Sequence, residues 1–183
     1  MATIDVMISA DEISNRLDAL AEEVAAALPP EARTSPVLMI GPLKGAVMVM
    51  ADLARALHRA GVDTVMDFIG LSSYGAGTVS KGTVTMTSDL SIEVAGRHVL
   101  LVDDIVDTGR TLHFAQAHIA ARGPASLRTL VVLDKPERRV VEVPVEHVGF
   151  TIPDVFVIGY GTDLDQRYRE LPYVGLFRPD SDS

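Results

Sequence analysis

The chain has 183 residues, 48% of them apolar, enough for one buried core and one domain. Its formal net charge of −9 disfavours a surface for nucleic acid or anionic membrane, which would need a basic field. With no cysteine, it has no disulfide, no thiol nucleophile and no cysteine-ligated zinc. The N-terminus, MATIDVMISADEISNRL, carries neither a basic n-region nor an apolar h-region. No uncharged apolar run reaches the ~18 residues of a membrane span. A cytoplasmic protein without a signal peptide is expected.

The elements alternate along the chain. Ser9 and Glu12 form a capping-box pattern. Ile13, Leu17, Leu20, Val24 and Leu28 follow at helical spacing, and Pro29-Pro30 stops the helix. Short apolar runs then predict strands at 37–40 (VLMI), 65–71 (VMDFIGL), 99–102 (VLLV), 127–133 (LRTLVVL) and 155–160 (VFVIGY). Runs without polar alternation suit strands buried on both faces, hence a parallel sheet. Helical stretches are predicted at 45–60 and 110–121. The alternation predicts an α/β fold with a mostly parallel central sheet flanked by helices. Ligands of such sheets bind beyond the carboxyl ends of the strands. There is no internal repeat, and the polar tail RPDSDS is expected to fray.

The stretch at 99–112, VLLVDDIVDTGRTL, carries the chemistry. Asp103 and Asp104 follow a buried strand. Asp107, Thr108, Gly109, Arg110 and Thr111 form a turn into a helix. Gly109 permits a tight turn and close backbone approach. Free amides at the helix N-terminus, with the hydroxyls of Thr108 and Thr111, make a phosphate cradle. The paired acids upstream suit ribose hydroxyls and Mg²⁺, a hard cation that prefers oxygen. Competing readings exist. Asp107 could simply cap the helix. Asp-Thr-Gly also occurs in aspartic proteases, which need two carboxylates in a β-rich fold. VLLVDD is similar to the first strand of a receiver domain, but here about a hundred residues precede it.

The whole pattern resembles the signature of type I phosphoribosyltransferases, which use phosphoribosyl pyrophosphate and Mg²⁺. Further segments resemble the hypoxanthine (hypoxanthine-guanine) phosphoribosyltransferases: LKGA at 43–46, SSYGAGT at 72–78, LDKPERR at 133–139, and VGFTIPDVFVIGYGTDLDQRYRELPYVG at 148–175. They stand in family order from about residue 37 to 178. The resemblance implies the type I phosphoribosyltransferase fold as a single domain over 1–183. Its small hood subdomain would come from parts of the N-terminal region and of 134–178.

The resemblance also implies roles. Asp103 and Asp104 bind the ribose hydroxyls, partly through Mg²⁺. Asp107 to Thr111, with Arg110 among them, hold the 5′-phosphate, and Asp107 is the candidate base at purine N7. Lys135 reaches the 6-oxo group, Phe156 stacks on the base, and Val157 pairs with it through its backbone. Asp163 lies beside the purine site and binds a second Mg²⁺. Lys44, Gly45 and Arg169 contact pyrophosphate. Ser73 and Tyr74 belong to a lid, and the three glycines in 72–85 suit a segment that orders at low cost. A cis peptide is implied between Leu43 and Lys44.

The implied function is purine salvage: transfer of a phosphoribosyl group to hypoxanthine, with guanine second and xanthine third. Homodimers or homotetramers are usual in the family. Alternatives are a xanthine-guanine enzyme or a non-catalytic nucleotide sensor on the same fold; acidic charge and the presence of Asp107 and Lys135 favour an enzyme. Arg110 and the run Gly161-Thr162-Asp163-Leu164 depart from the commonest family residues. The histidines at 58, 98, 113, 118 and 147 are scattered and receive no role.

Overall fold

The computed structural model describes residues 3–73 and 83–178. Five strands lie parallel in the central sheet: β2 (Val37–Leu43), β3 (Thr64–Ser73), β5 (His98–Val106), β6 (Ser126–Asp134) and β7 (His147–Thr151). An antiparallel edge strand, β4 (Val84–Ser88), completes the order β4-β3-β2-β5-β6-β7. A second, three-stranded antiparallel sheet joins β1 (Thr3–Ile8), β9 (Val174–Arg178) and the short β8 (Val157–Ile158).

Strand periodicity sorts the core into two layers. Met39, Leu100, Val102, Leu130 and Val132 face one side, against α1 (Ala10–Ala27) and α2 (Ala46–Arg59). Leu38, Ile40, Val99, Leu101 and Val131 face the other, against Leu112, Ala115 and Ile119 of α3 (Arg110–Ala120). Both faces of β2, β5 and β6 are therefore covered, and that is why these strands read as unbroken apolar runs.

The predicted capping box is present. Ser9 Oγ accepts from Glu12 N at 3.3 Å, and Glu12 Oε2 accepts from Ser9 N at 2.9 Å. The helix ends at Leu28, ahead of the two prolines. Helix α2 buries Ala46, Val49, Met50, Leu53, Ala56 and Leu57, a stripe at helical spacing. Each large side chain buried there stabilises the fold by about 1.5–3 kcal/mol.

The run at 155–160 is the main departure from the sequence reading. Only Val157–Ile158 are extended, and they pair antiparallel with β9 in the small sheet. Gly159 and Gly161 have φ of 95° and 103° and Tyr160 has φ of 47°, so the chain turns away after two residues. The sheet's real edge is β7, whose HVGFT run is too short and mixed to announce itself.

Arg16 ties α1 to that edge. Its Nε donates to Gly149 O at 3.1 Å, and its Nη2 to Val148 O at 2.7 Å. His147 is buried beside it, with Nδ1 3.7 Å from Glu23 Oε2 and Nε2 without a hydrogen-bond partner. Burial holds its imidazole below the usual value of 6.5, against the opposing pull of Glu23. The unfolded chain takes up this proton more readily than the folded one, so stability falls as pH drops below about 6.5. We predict a smaller loss of thermal stability between about pH 7 and pH 5.5 in His147→Phe than in the parent chain. Equal slopes in the two melting series would show that His147 plays no part.

Candidate active site

The carboxyl ends of β2, β5 and β6 open onto one cleft of about 510 Å³. Parallel strands deliver their following loops to the same edge, so residues far apart in sequence meet there. Lys44 and Gly45 come from the end of β2, Asp103 to Thr111 from β5 and the turn into α3, and Lys135 from the residue after β6. The loop after the small sheet's β8 supplies Thr162, Asp163 and Arg169.

Asp103 and Asp104 are both buried. Burial and then the neighbouring charge of Asp104 push the Asp103 carboxyl well above the ordinary carboxylate range. Burial also raises Asp104, against hydrogen bonding from Asp103 and Ile105 N–H and the positive charge of Arg169. Asp104 is closely walled in. A Cβ at Gly45 would collide with its carboxylate, and one at Gly161 would meet both its Oδ2 and Gly45 O. Two glycines thus let the backbones of two loops reach the acid pair.

On one side of the pair lies a basic corner. The Leu43–Lys44 peptide is cis, as the resemblance implied. Lys44 Nζ donates to Gln166 Oε1 at 3.2 Å, and Arg169 Nη2 donates to the same atom at 3.3 Å. Arg169 also pairs with Asp163 at 2.7 Å and donates to Gly161 O at 2.6 Å. Gln166, which joins the two cations, escaped the sequence reading because nothing marks one glutamine in a loop. Helix α2 begins at this corner without a side-chain cap, which leaves amides for a ligand.

On the other side lies the turn 107–111. Helix α3 starts at Gly109, with φ of 83° and no side-chain cap. The capping reading of Asp107 is therefore ruled out: its carboxylate does not cap the helix, and faces the cleft instead. Its Oδ1 sits 2.8 Å from Arg138 Nε in an ion pair. Thr108, Gly109 and Thr111 line the cleft, whereas Arg110 is exposed and does not.

Beyond Asp107, Lys135 is buried and donates from Nζ to Val155 O at 2.6 Å. Burial lowers its pKa, opposed by Asp107 and Asp154. Phe156 lies over the opening, 53% exposed, with its ring edge-on to Phe177 at 6.2 Å. Val157 lines the wall beside it. A flat apolar face beside a buried cation suits a planar, polar ring. Of the two lid residues, Ser73 is the last residue of β3 and Tyr74 lies outside the described residues, as do most of the 72–85 segment and most of the tail.

Fold and site together define the class: an acid pair, an uncapped helix start and a basic corner meet at the carboxyl ends of one parallel sheet, the arrangement of a phosphoribosyltransferase. The phosphoribosyl transferase domain model matches residues 9–167. The hypoxanthine phosphoribosyltransferase of Salmonella typhimurium is 43% identical over 173 residues, covering 94% of each chain. The bifunctional protein TilS/HprT of Listeria monocytogenes is 43% identical over 175 residues; the chain spans only 26% of that protein's length. A solved structure of hypoxanthine phosphoribosyltransferase from Trypanosoma cruzi superposes with a TM-score of 0.86 at 42% identity, covering 96% of this chain and 91% of the other. The chain belongs to the hypoxanthine phosphoribosyltransferase family.

The glycine contacts generate a test. Gly161→Ala adds a Cβ against Gly45 O at a left-handed φ, so it should destabilise the chain by about 1–3 kcal/mol. Gly123→Ala, also at positive φ (67°) but with open space around it, should cost less. Thermal melts of the two variants compare the contributions. An equal cost would mean that φ alone matters and the Gly45–Asp104 approach does not.

Proposed function

We propose that the chain transfers a 5-phosphoribosyl group from phosphoribosyl pyrophosphate to N9 of hypoxanthine, and of guanine second, releasing pyrophosphate. The observation that carries this reading is the convergence of Asp103, Asp104, the 107–111 turn and Lys135 on one cleft. Its named relatives share the activity in their names.

The division of labour follows from charge. As the C1′–O bond breaks, positive character builds on the ribose and negative charge on the pyrophosphate. Lys44 and Arg169, on the corner beside Gly45, meet the departing charge. The amides and hydroxyls of Thr108, Gly109 and Thr111 hold the 5′-phosphate in place. N9 attacks C1′ while the N7 proton passes to the carboxylate of Asp107, which lines the cleft. Lys135, already donating to a carbonyl, donates to the 6-oxo group of the base. Phe156 covers one face of the ring and Val157 borders its edge. Asp163 pairs with Arg169 at rest and is placed to take part in holding pyrophosphate.

The donor set fits a divalent cation. Asp103 and Asp104 are adjacent oxygen ligands, buried, and raised in pKa above all by that burial. Mg²⁺ held there would coordinate the sugar hydroxyls, and a second held at Asp163 would offset the negative charge of the pyrophosphate. Among the described residues no cluster of three or more His, Cys, Asp or Glu side chains is present, so water and substrate oxygens would supply the remaining ligands.

Purified chain, phosphoribosyl pyrophosphate, Mg²⁺ and each purine in turn test the reading. Hypoxanthine should be consumed with stoichiometric release of pyrophosphate, and chelation with excess EDTA should abolish it. Adenine should be poorer by up to about 10⁴-fold, because its 6-amino group has no acceptor for Lys135. Equal use of adenine would overturn the role of Lys135; no transfer to any purine would overturn the reading itself. In Asp107→Asn, single-turnover transfer should slow by about 10²-fold or more while folding is kept, since asparagine cannot take the N7 proton. Near-normal single turnover in that variant would remove Asp107 as the base.

A further inference from the structure

Three donors from the β6–β7 connection hold the back of the turn at 107–109. Arg139 Nε donates to Asp107 O at 3.1 Å. Val140 N and Val141 N both donate to Thr108 O at 3.0 Å. Arg139 is itself fixed by an ion pair from Nη2 to Asp134 Oδ1, at the end of β6, and its side chain is only 12% exposed. The fit is close: a Cβ on Gly109 would run into Val141 O and come within 2.9 Å of Arg139 Cδ. Arg139, Val140 and Val141 do not line the cleft, whereas Thr108 and Gly109 do.

Peptide geometry converts these tethers into function. In a trans peptide the C=O of one residue and the N–H of the next point in opposite directions. With Asp107 O turned back to Arg139, the amide of Thr108 points the other way, toward the cleft. With Thr108 O turned back to Val140 and Val141, so does the amide of Gly109. No local device does this job, because α3 has no side-chain cap.

We infer that Arg139, locked to Asp134, is a positioning residue that aims the Thr108 and Gly109 amides at the 5′-phosphate of the substrate. The inference rests on the proposed function and adds to it a residue outside the cleft. Arg139 touches no substrate. Its effect belongs to the ribose 5-phosphate end, and pyrophosphate, held across the cleft by Lys44 and Arg169, should not feel it.

Arg139→Lys keeps the charge but cannot serve Asp107 O and Asp134 at once. Calorimetry with Mg²⁺ should show phosphoribosyl pyrophosphate bound about 10- to 100-fold more weakly, with free pyrophosphate within about twofold of the parent. KM for phosphoribosyl pyrophosphate should rise more than kcat falls, and the melting transition should hold. Asp134→Asn, which loosens the same arginine from the other end, should shift affinity in the same direction and by less. Equal weakening of both ligands, or of neither, overturns the inference. So does loss of a cooperative melt in both variants, because the pair would then be holding the fold and not the cradle. A parent chain that fails to bind phosphoribosyl pyrophosphate would instead overturn the functional reading, and this inference with it.

Discussion

Two adjacent carboxylates are buried in the C-terminal half of β5, one of the sheet's two central strands, and the rest of the site is built around that constraint. Burying like charges side by side is unfavourable by itself. The fold accepts it through backbone donors to the pair, close approach of bare backbone and the positive charge of Arg169. Asp104 N donates to Asp103 Oδ1 and Ile105 N to Asp104 Oδ1, both at 3.0 Å. Gly45 and Gly161 bring two loops against Asp104 where any side chain would collide. The acid pair thus sets where the basic corner and the phosphate turn stand relative to one another.

The surrounding charges follow a clear order. Cations at rest are occupied: Arg169 by Asp163 and Gly161 O, Lys44 by Gln166, Arg138 by Asp107, Arg139 by Asp134. These partners keep long basic side chains oriented at modest cost in entropy. Under the proposed function a polyanionic substrate would displace these resting partners. The 12% exposed Arg139 differs, because no ligand reaches it and its pairing serves the backbone behind the turn.

Much of this was legible in the sequence, for physical reasons. Strands covered on both faces must be apolar throughout, so 37–40, 65–71, 99–102 and 127–133 announced the parallel sheet. Acids after VLLV were expected just beyond a strand; β5 in fact runs on through them to Val106, so they lie in its C-terminal half, toward the edge where such sheets bind ligands. What stayed hidden depended on position and not on composition. The 155–160 run is apolar enough for the central sheet, yet Gly159 and Gly161 turn it into the small one. Gln166 bridges Lys44 and Arg169, and Arg139 tethers a backbone carbonyl; such isolated contacts leave no periodic trace. The capping reading of Asp107 could be set aside only once the helix start was seen to lie at Gly109.

The central claim is that Asp103 and Asp104 exist to bring a divalent cation and a ribose together at one point. The most direct measurement is the dissociation constant of phosphoribosyl pyrophosphate with and without Mg²⁺, in the parent chain and in the Asp103→Asn/Asp104→Asn double variant. The account predicts that Mg²⁺ tightens binding to the parent by at least about tenfold, or 1.4 kcal/mol, and leaves the double variant unchanged. The same Mg²⁺ dependence in both proteins would contradict it.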